Sequence, residues 1–136
     1  MGLGEAVGTC LRKYADFDGR ARRSEYWYFR LFVWMVYLSL WFAIFLTSIG
    51  MPPEAPNEPG GILLLIGIVF MLAVWLPDMA VTVRRLHDAG FSGWIYLIAL
   101  APLGGFALLV LTCMRGTYGD NQYGPDPLGP SVRVFE

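Results

Sequence analysis

Two groups of ionisable residues could do chemistry in this chain, and each lies directly beside a long apolar run. The first is the stretch FDGRARRSEYWYF, residues 17–29, and the second is VRRLHDAGFSGW, residues 83–94. His87 beside Asp88 could suggest proton transfer, because histidine titrates close to neutral pH. No second base, nucleophile or set of metal ligands accompanies the pair in the sequence. We therefore expect no catalytic residue, no metal and no cofactor.

The arginines in these two groups are open to two interpretations. In the first, they hold the headgroups of anionic lipids or a protein partner, because guanidinium groups bind phosphate and carboxylate strongly. In the second, they pair with acidic residues of the same chain in an internal salt-bridge lattice and bind no ligand. The candidate residues for either role are Arg20, Arg22, Arg23, Glu25, Tyr26, Trp27, Arg30, Asp78, Arg84, Arg85, His87 and Asp88.

The composition indicates that water is not the only solvent of this protein. Apolar residues make up 56% of the 136 residues and charged residues 15%, whereas soluble domains carry about 25% charged residues. The formal net charge is −1, so the chain as a whole is not expected to bind nucleic acid.

Three apolar runs are long enough to cross a bilayer. Leu31–Ile49 has 19 residues without a charge, Ile62–Val83 has 22 with one charge, and Trp94–Met114 has 21 with none. A spanning helix needs about 20 such residues. We expect a single all-α integral membrane domain over 1–136, with membrane segments at 24–49, 62–85 and 93–114.

The third run contains residues that interrupt a helix near its middle. Pro102 removes one helical hydrogen bond, and Gly104 and Gly105 weaken the same turn. A single kinked span would place the tail outside the membrane, and a re-entrant hairpin of two short arms would return the tail to the cytoplasm. We favour the single span.

The two ends of the chain have patterns of their own. Residues 1–18 carry apolar side chains at helical spacing, which suits a short amphipathic helix on the inner membrane surface. Residues 115–136 are rich in Gly and Pro, which indicates turns. We expect this tail to pack over the helix ends, with Asn121, Tyr123 and Asp126 in that cap.

The distribution of basic residues predicts an orientation. Six of the ten Lys and Arg residues come before or at the start of the first apolar run. The connection 50–61 has none and carries Glu54 and Glu58, whereas Arg84 and Arg85 follow the second run. By the positive-inside bias, the N-terminus and residues 84–88 lie in the cytoplasm and the connection lies outside.

Arg30 and Asp78 lie too deep to act only as orientation signals. Arg30 is about 10 Å inside the first membrane segment, and Asp78 is about 9 Å inside the second. The two segments are antiparallel, so we predict that these residues reach the same depth and form an ion pair. Otherwise each side chain extends separately to the headgroups, or the two serve a small oligomeric channel or transporter.

Three motifs occur in a fixed order around the apolar runs: FDGRARRSEYWYF, RRLHDAGFSGW and GTYGDNQYGPDP. In this respect the chain resembles the bacterial inner-membrane family catalogued as domain of unknown function 805, over roughly Tyr14 to Pro127. The resemblance implies a compact helical membrane protein and supplies no reaction or ligand. We expect a non-enzymatic module of the bacterial inner membrane that interacts with lipids, or with a membrane protein or further copies of itself.

Overall fold

The computed structural model describes residues 1–50 and 59–129, and over those ranges it is helical, with one isolated bridge between Asn121 and Gly124. The elements are α1 (Leu3–Arg12), α2 (Arg23–Gly50), α3 (Pro59–Asp88), a 3₁₀ helix (Gly93–Leu100) and α4 (Gly104–Cys113). Most of the connection expected on the outside, including Glu54 and Glu58, falls outside the described residues, as does the end of the tail.

The helices α2 and α3 form the long axis of the structure. They contain 28 and 30 residues, and at about 1.5 Å per residue each exceeds the ~30 Å of a bilayer core. Large apolar side chains remain uncovered along both helices, such as Trp41 at 71% and Leu72 at 61% exposure. Both helices are therefore long and apolar enough to cross a membrane.

The two long helices pack through aromatic contacts. Phe70 of α3 meets the rings of Phe32 and Tyr37 of α2 edge-on, at centroid distances of 6.4 and 5.6 Å. Such edge-to-face contacts are the favoured geometry of aromatic pairs. The buried core continues from here toward the arginine-bearing ends of the helices and contains Cys10, Ala21, Tyr26, Phe29, Val33, Val74 and Val81.

Tyr26 and Trp27 are adjacent in α2 but differ in burial. Tyr26 and Trp27 both suit the headgroup belt by residue type, but Tyr26 is 4% exposed and belongs to the core, whereas Trp27 is 40% exposed. The two rings contact each other edge-on at 5.2 Å. Tyr26 is buried because its side of α2 faces α1 and α3.

The third apolar run is a hairpin, and the expectation of a single kinked span is wrong. The 3₁₀ helix and α4 have 8 and 10 residues, too few for either to span a bilayer. Leu103 adopts a left-handed conformation at φ 64° in the turn between them. Gly93 at the start lies against Val83 and His87 of α3.

The C-terminal end of the hairpin also lies beside the last turns of α3. Thr112, near the C-terminus of α4, accepts a hydrogen bond from Arg85 at 3.0 Å. Both ends of the third run therefore lie beside the last turns of α3, and the tail emerges on the same side as Arg85. This geometry matches the re-entrant alternative.

The first helix, α1, packs against α2 and α3 through Ala6 and Cys10, which are fully buried. Beyond it, the hydroxyl of Tyr14 donates a hydrogen bond of 2.6 Å to the carbonyl oxygen of Ala73 in α3. That carbonyl has no helical donor because Pro77, four residues later, lacks an N–H. The Pro77 in the second apolar run is the sequence signal that a side-chain donor is needed here.

Helix α3 ends at Asp88 and is followed by a glycine cap. Gly90 has φ 83°, which only glycine adopts readily. The amide of Phe91 donates to the carbonyl of Leu86 at 2.9 Å, and the amide of Gly90 donates to that of His87 at 3.0 Å. This is the Schellman arrangement of a helix C-terminus, and it turns the chain directly into the 3₁₀ helix.

Candidate functional site

The carboxylate of Asp88 organises the arginine-bearing end of the molecule. Its Oδ1 accepts a hydrogen bond from Nε of Arg20 at 2.9 Å, and its Oδ2 is bonded by Nη1 of Arg85. All three side chains are almost completely buried. Gly116 passes so close that an added Cβ would lie 2.1 Å from Oδ2. One buried carboxylate therefore pairs with two buried guanidinium groups in a site that admits no side chain at position 116.

Arg20 also fixes the tail. Its Nη1 donates to the carbonyl of Gly119 and its Nη2 to that of Thr117, both at 2.6 Å. The amide of Thr117 in turn donates to the carbonyl of Asp88 at 2.8 Å. The segment before α2, the end of α3 and the tail are thus joined around one side chain.

The C-terminus of α4 is capped by arginines. The last carbonyls of a helix have no donor within the helix, and cations are favoured there by the helix dipole. Arg85 donates through Nε to Thr112 at 3.0 Å and through Nη2 to Met114. Arg23 donates to Met114 at 3.1 Å and to Cys113 at 2.6 Å. These acceptors could not be predicted from the sequence, because they are backbone carbonyls at the end of a helix that exists only if the third run is divided in two.

Arg84 and Glu25 form a second buried pair, with Nη1 and Oε1 separated by 2.8 Å. Arg84 is 0% exposed, and within residues 1–50 and 59–129 its Nε and Nη2 have no hydrogen-bond partner. The thiol of Cys10 lies 3.9 Å from Glu25. Burial, followed by the neighbouring Glu25 charge, raises the pKa of Cys10 to about 12. The thiol is therefore protonated and unreactive at neutral pH.

His87 and Asp88 are neighbours in sequence but serve different partners. His87 Nδ1 lies 3.3 Å from the carbonyl of Gly19, and its ring stacks on Tyr123 at 3.9 Å. Asn121 Nδ2 donates to the carbonyl of His87 at 3.0 Å. In the described part of the chain, no three His, Cys, Asp or Glu side chains are grouped to hold a metal.

The tail residues named from the sequence lie at this same end. Asp126 stabilises the tail internally, because its Oδ2 accepts from the amide of Gly119 at 3.0 Å and its Oδ1 from the amide of Leu128 at 2.9 Å. With Tyr123 and Asn121 on His87, the tail covers the end of α3.

The predicted pairing of Arg30 with Asp78 is confirmed. Arg30 Nε and Asp78 Oδ1 are 3.0 Å apart, and both side chains are largely covered. The guanidinium also lies 5.3 Å from the centroid of the Tyr26 ring. An ion pair that joins α2 and α3 offsets part of the cost of charge at membrane depth.

A cavity of about 320 Å³ opens beside this cluster, between the start of α2 and the tail. Arg20 and Arg23, which line it, are held by the contacts described above. Arg22 is exposed, and its side chain forms no hydrogen bond or ion pair with the described residues. Arg115 lies over the ring of Tyr118, 4.4 Å from its centroid. We call this the arginine-lined cavity.

These features define a class of helical protein with two apolar helices of membrane-spanning length and a short apolar hairpin, closed at one end by buried ion pairs. Residues 14–125 match the family described as "Protein of unknown function (DUF805)". The chain belongs to this family, as the three sequence motifs indicate.

Curated relatives match over most of their length. The chain is 36% identical over 120 residues to "Inner membrane protein YhaI" of Escherichia coli (strain K12), covering 88% of this chain and 92% of that protein. It is 38% identical over 118 residues to "Inner membrane protein YhaH" of the same strain, covering 86% and 91%. No solved structure matches the chain.

Proposed function

We propose that this protein is a non-enzymatic module of the bacterial inner membrane that binds the phosphate headgroup of an anionic lipid in the arginine-lined cavity. The observation that carries the proposal is Arg22, an exposed arginine that lines a concave site and whose side chain has no partner among residues 1–50 and 59–129. Among the arginines named from the sequence, Arg84 and Arg85 are fully buried and belong to the internal lattice. Headgroup binding therefore falls to Arg22, with Arg115 from the tail.

The electrostatics of the cavity favour an anion. Four arginines line it against two carboxylates, Asp88 and Asp126. Asp88 is already neutralised by Arg20 and Arg85, so its charge is not available to repel a ligand. The start of α2 lies at the same site, and the N-terminus of a helix attracts negative charge. A phosphate would thus meet guanidinium groups from two segments and a helix end.

The proposed membrane arrangement has α2 and α3 as spans and the third run as a re-entrant hairpin. Both ends of the hairpin lie beside the last turns of α3. With the basic residues of the first segment on the cytoplasmic side, the N-terminus, the arginine-lined cavity and the tail all face the cytoplasm. The names of the relatives support a location in the inner membrane.

Reporter fusions test this arrangement. We expect a fluorescent protein that matures only in the cytoplasm to be bright at either end of the chain. We expect alkaline phosphatase, which is active only outside the cytoplasm, to be inactive at either end. Reporters that place the two ends on opposite sides of the membrane would contradict the re-entrant hairpin, and both ends outside would contradict the orientation.

Lipid retention tests the proposed function. We expect protein purified from native membranes to carry phosphatidylglycerol or cardiolipin in native mass spectra. In Arg22→Gln/Arg115→Gln this retention should fall about tenfold or more, because each basic side chain near an anionic surface contributes about 1 kcal/mol.

The matched control is Arg12→Gln/Lys13→Gln, which removes two exposed positive charges from α1, away from the cavity. It should retain the lipid at the level of the wild type. Equal retention by both double variants would overturn the proposal, as would a wild type that carries a protein partner and no anionic lipid.

A further inference from the structure

A second cavity lies on another side of the same cluster and is independent of the proposed headgroup site. It measures about 550 Å³, a volume typical of small-molecule sites. Its walls come from α3, the 3₁₀ helix and the tail, and most of its lining is apolar or aromatic, including Met79, Val83, Trp94 and Leu97. We call it the apolar cavity.

His87 lines the apolar cavity, and the hydrogen-bonding role of each of its ring nitrogens can be assigned. Its Nδ1 faces the carbonyl of Gly19 at 3.3 Å. Because a carbonyl can only accept a hydrogen bond, the neutral ring carries its proton on Nδ1. Nε2 then presents a lone pair, and it has no hydrogen-bond partner among the described residues. A ligand group that donates a hydrogen bond would satisfy it.

The other residues that line the apolar cavity indicate whether the head of the ligand is charged or neutral. Among the described residues, no Lys, Arg, Asp or Glu lines the apolar cavity, so a charged head would lose its hydration without gaining an opposite charge from them. Ser92, Tyr96 and Tyr123 also line it, and each of these residues carries a hydroxyl group that can donate or accept. A neutral head with at least one hydroxyl fits this lining, and a hydrocarbon chain fits the apolar wall.

We propose that the apolar cavity binds a neutral, hydroxyl-bearing amphiphile whose chain lies along Met79, Val83 and Leu97 and whose hydroxyl donates to Nε2 of His87. The cavity lies beside the 3₁₀ helix, where Trp94 is 81% exposed and Leu97 is 53% exposed, and which the proposed arrangement places in the membrane. Such a ligand can therefore enter from the lipid phase without passing through water. The headgroup site takes an anion and this one takes a neutral head, so the two sites select different lipids.

Photolabelling in phosphatidylcholine nanodiscs tests the proposal. The probe is a long-chain primary alcohol with a mid-chain diazirine, and its comparison is the methyl ether of the same chain, which cannot donate. We expect the alcohol to label residues 79–97 about fivefold more than the ether, the factor given by one hydrogen bond of ~1 kcal/mol. Equal labelling of this segment by alcohol and ether in the wild type would overturn the proposal.

Two variants test separately the contact of the ligand's hydroxyl group and the contact of its hydrocarbon chain. His87→Phe keeps an aromatic ring against Tyr123 and should abolish the preference for the alcohol. Leu97→Trp narrows the cavity and should reduce labelling by both probes, whereas Leu65→Trp, on an exposed face of α3, should not. Unchanged labelling in Leu97→Trp contradicts the chain contact, and a persisting alcohol preference in His87→Phe contradicts the hydroxyl contact.

Discussion

Asp88→Asn is expected to destabilise the protein more than any other exchange of a carboxylate for an amide in the described chain. The variant leaves the guanidinium groups of Arg20 and Arg85 buried without their shared counter-charge. Removal of one partner of a buried ion pair costs about 3–5 kcal/mol. We expect a midpoint of thermal unfolding in detergent that is lower by ~10 °C or more, together with a reduced yield of folded protein.

Asp120→Asn is the matched control for this experiment. Asp120 is exposed, and its Oδ1 accepts a hydrogen bond from the amide of Asp126 at 3.2 Å, which an amide oxygen can also accept. Its unfolding midpoint should stay close to that of the wild type. If Asp88→Asn unfolds at the same temperature as Asp120→Asn, the carboxylate of Asp88 does not hold this end of the molecule together.

Gly104→Ala is expected to open the hairpin of the third run. An added Cβ would lie 1.6 Å from the backbone carbonyl oxygen of Ile98, and a backbone atom cannot move aside as a flexible side chain can. The turn between the two arms must therefore change, at a cost of about 3 kcal/mol. Amide hydrogen exchange over residues 98–113 should become faster, and the unfolding midpoint should fall.

The adjacent glycine gives the control. An added Cβ at Gly105 meets nothing within 4 Å, and alanine is a better helix former than glycine by up to about 1 kcal/mol. Gly105→Ala should therefore match the wild type or exceed it in stability. Comparable behaviour of the two variants would contradict the close packing of the 3₁₀ helix against α4.

The sequence predicts those features that depend on local pattern and depth. Long apolar runs predict α2 and α3, because a helix is the structure that satisfies its own backbone in an apolar solvent. Arg30 and Asp78 could be paired because both their depths follow from the rise per residue and their charges are opposite. Gly90 could be assigned as a helix terminator because its position after RRLHD matches a known capping pattern.

Local pattern could not predict whether the third apolar run forms a single kinked span or a hairpin. Pro102, Gly104 and Gly105 weaken a helix whether the chain then kinks or reverses. The outcome depends on partners remote in sequence: the α4 carbonyls are capped by Arg23 and Arg85. Those contacts have no periodic signature, because the acceptors are backbone atoms and their residue types carry little information.

The sequence likewise could not predict whether the arginines bind lipid headgroups or form an internal salt-bridge lattice. Arg22 and Arg23 are adjacent, and Arg84 and Arg85 are adjacent, yet their environments differ. The side chain of Arg22 is exposed and has no partner in the part of the chain that the structure describes, whereas Arg84 and Arg85 are both buried. Burial depends on how α1 and the tail close over the helix ends, which a single stretch of charges cannot reveal.

The contacts of Arg20 have a consequence for biosynthesis. Its carbonyl partners at Thr117 and Gly119 lie 97 and 99 residues further along the chain, and Tyr14 bonds a carbonyl 59 residues away. A ribosome delivers the N-terminal segment long before those partners exist. During translation the guanidinium of Arg20 must therefore remain in water, and the cluster closes only after both long helices and the hairpin have been made. A prematurely terminated chain consequently presents an open, charged surface that the finished protein lacks.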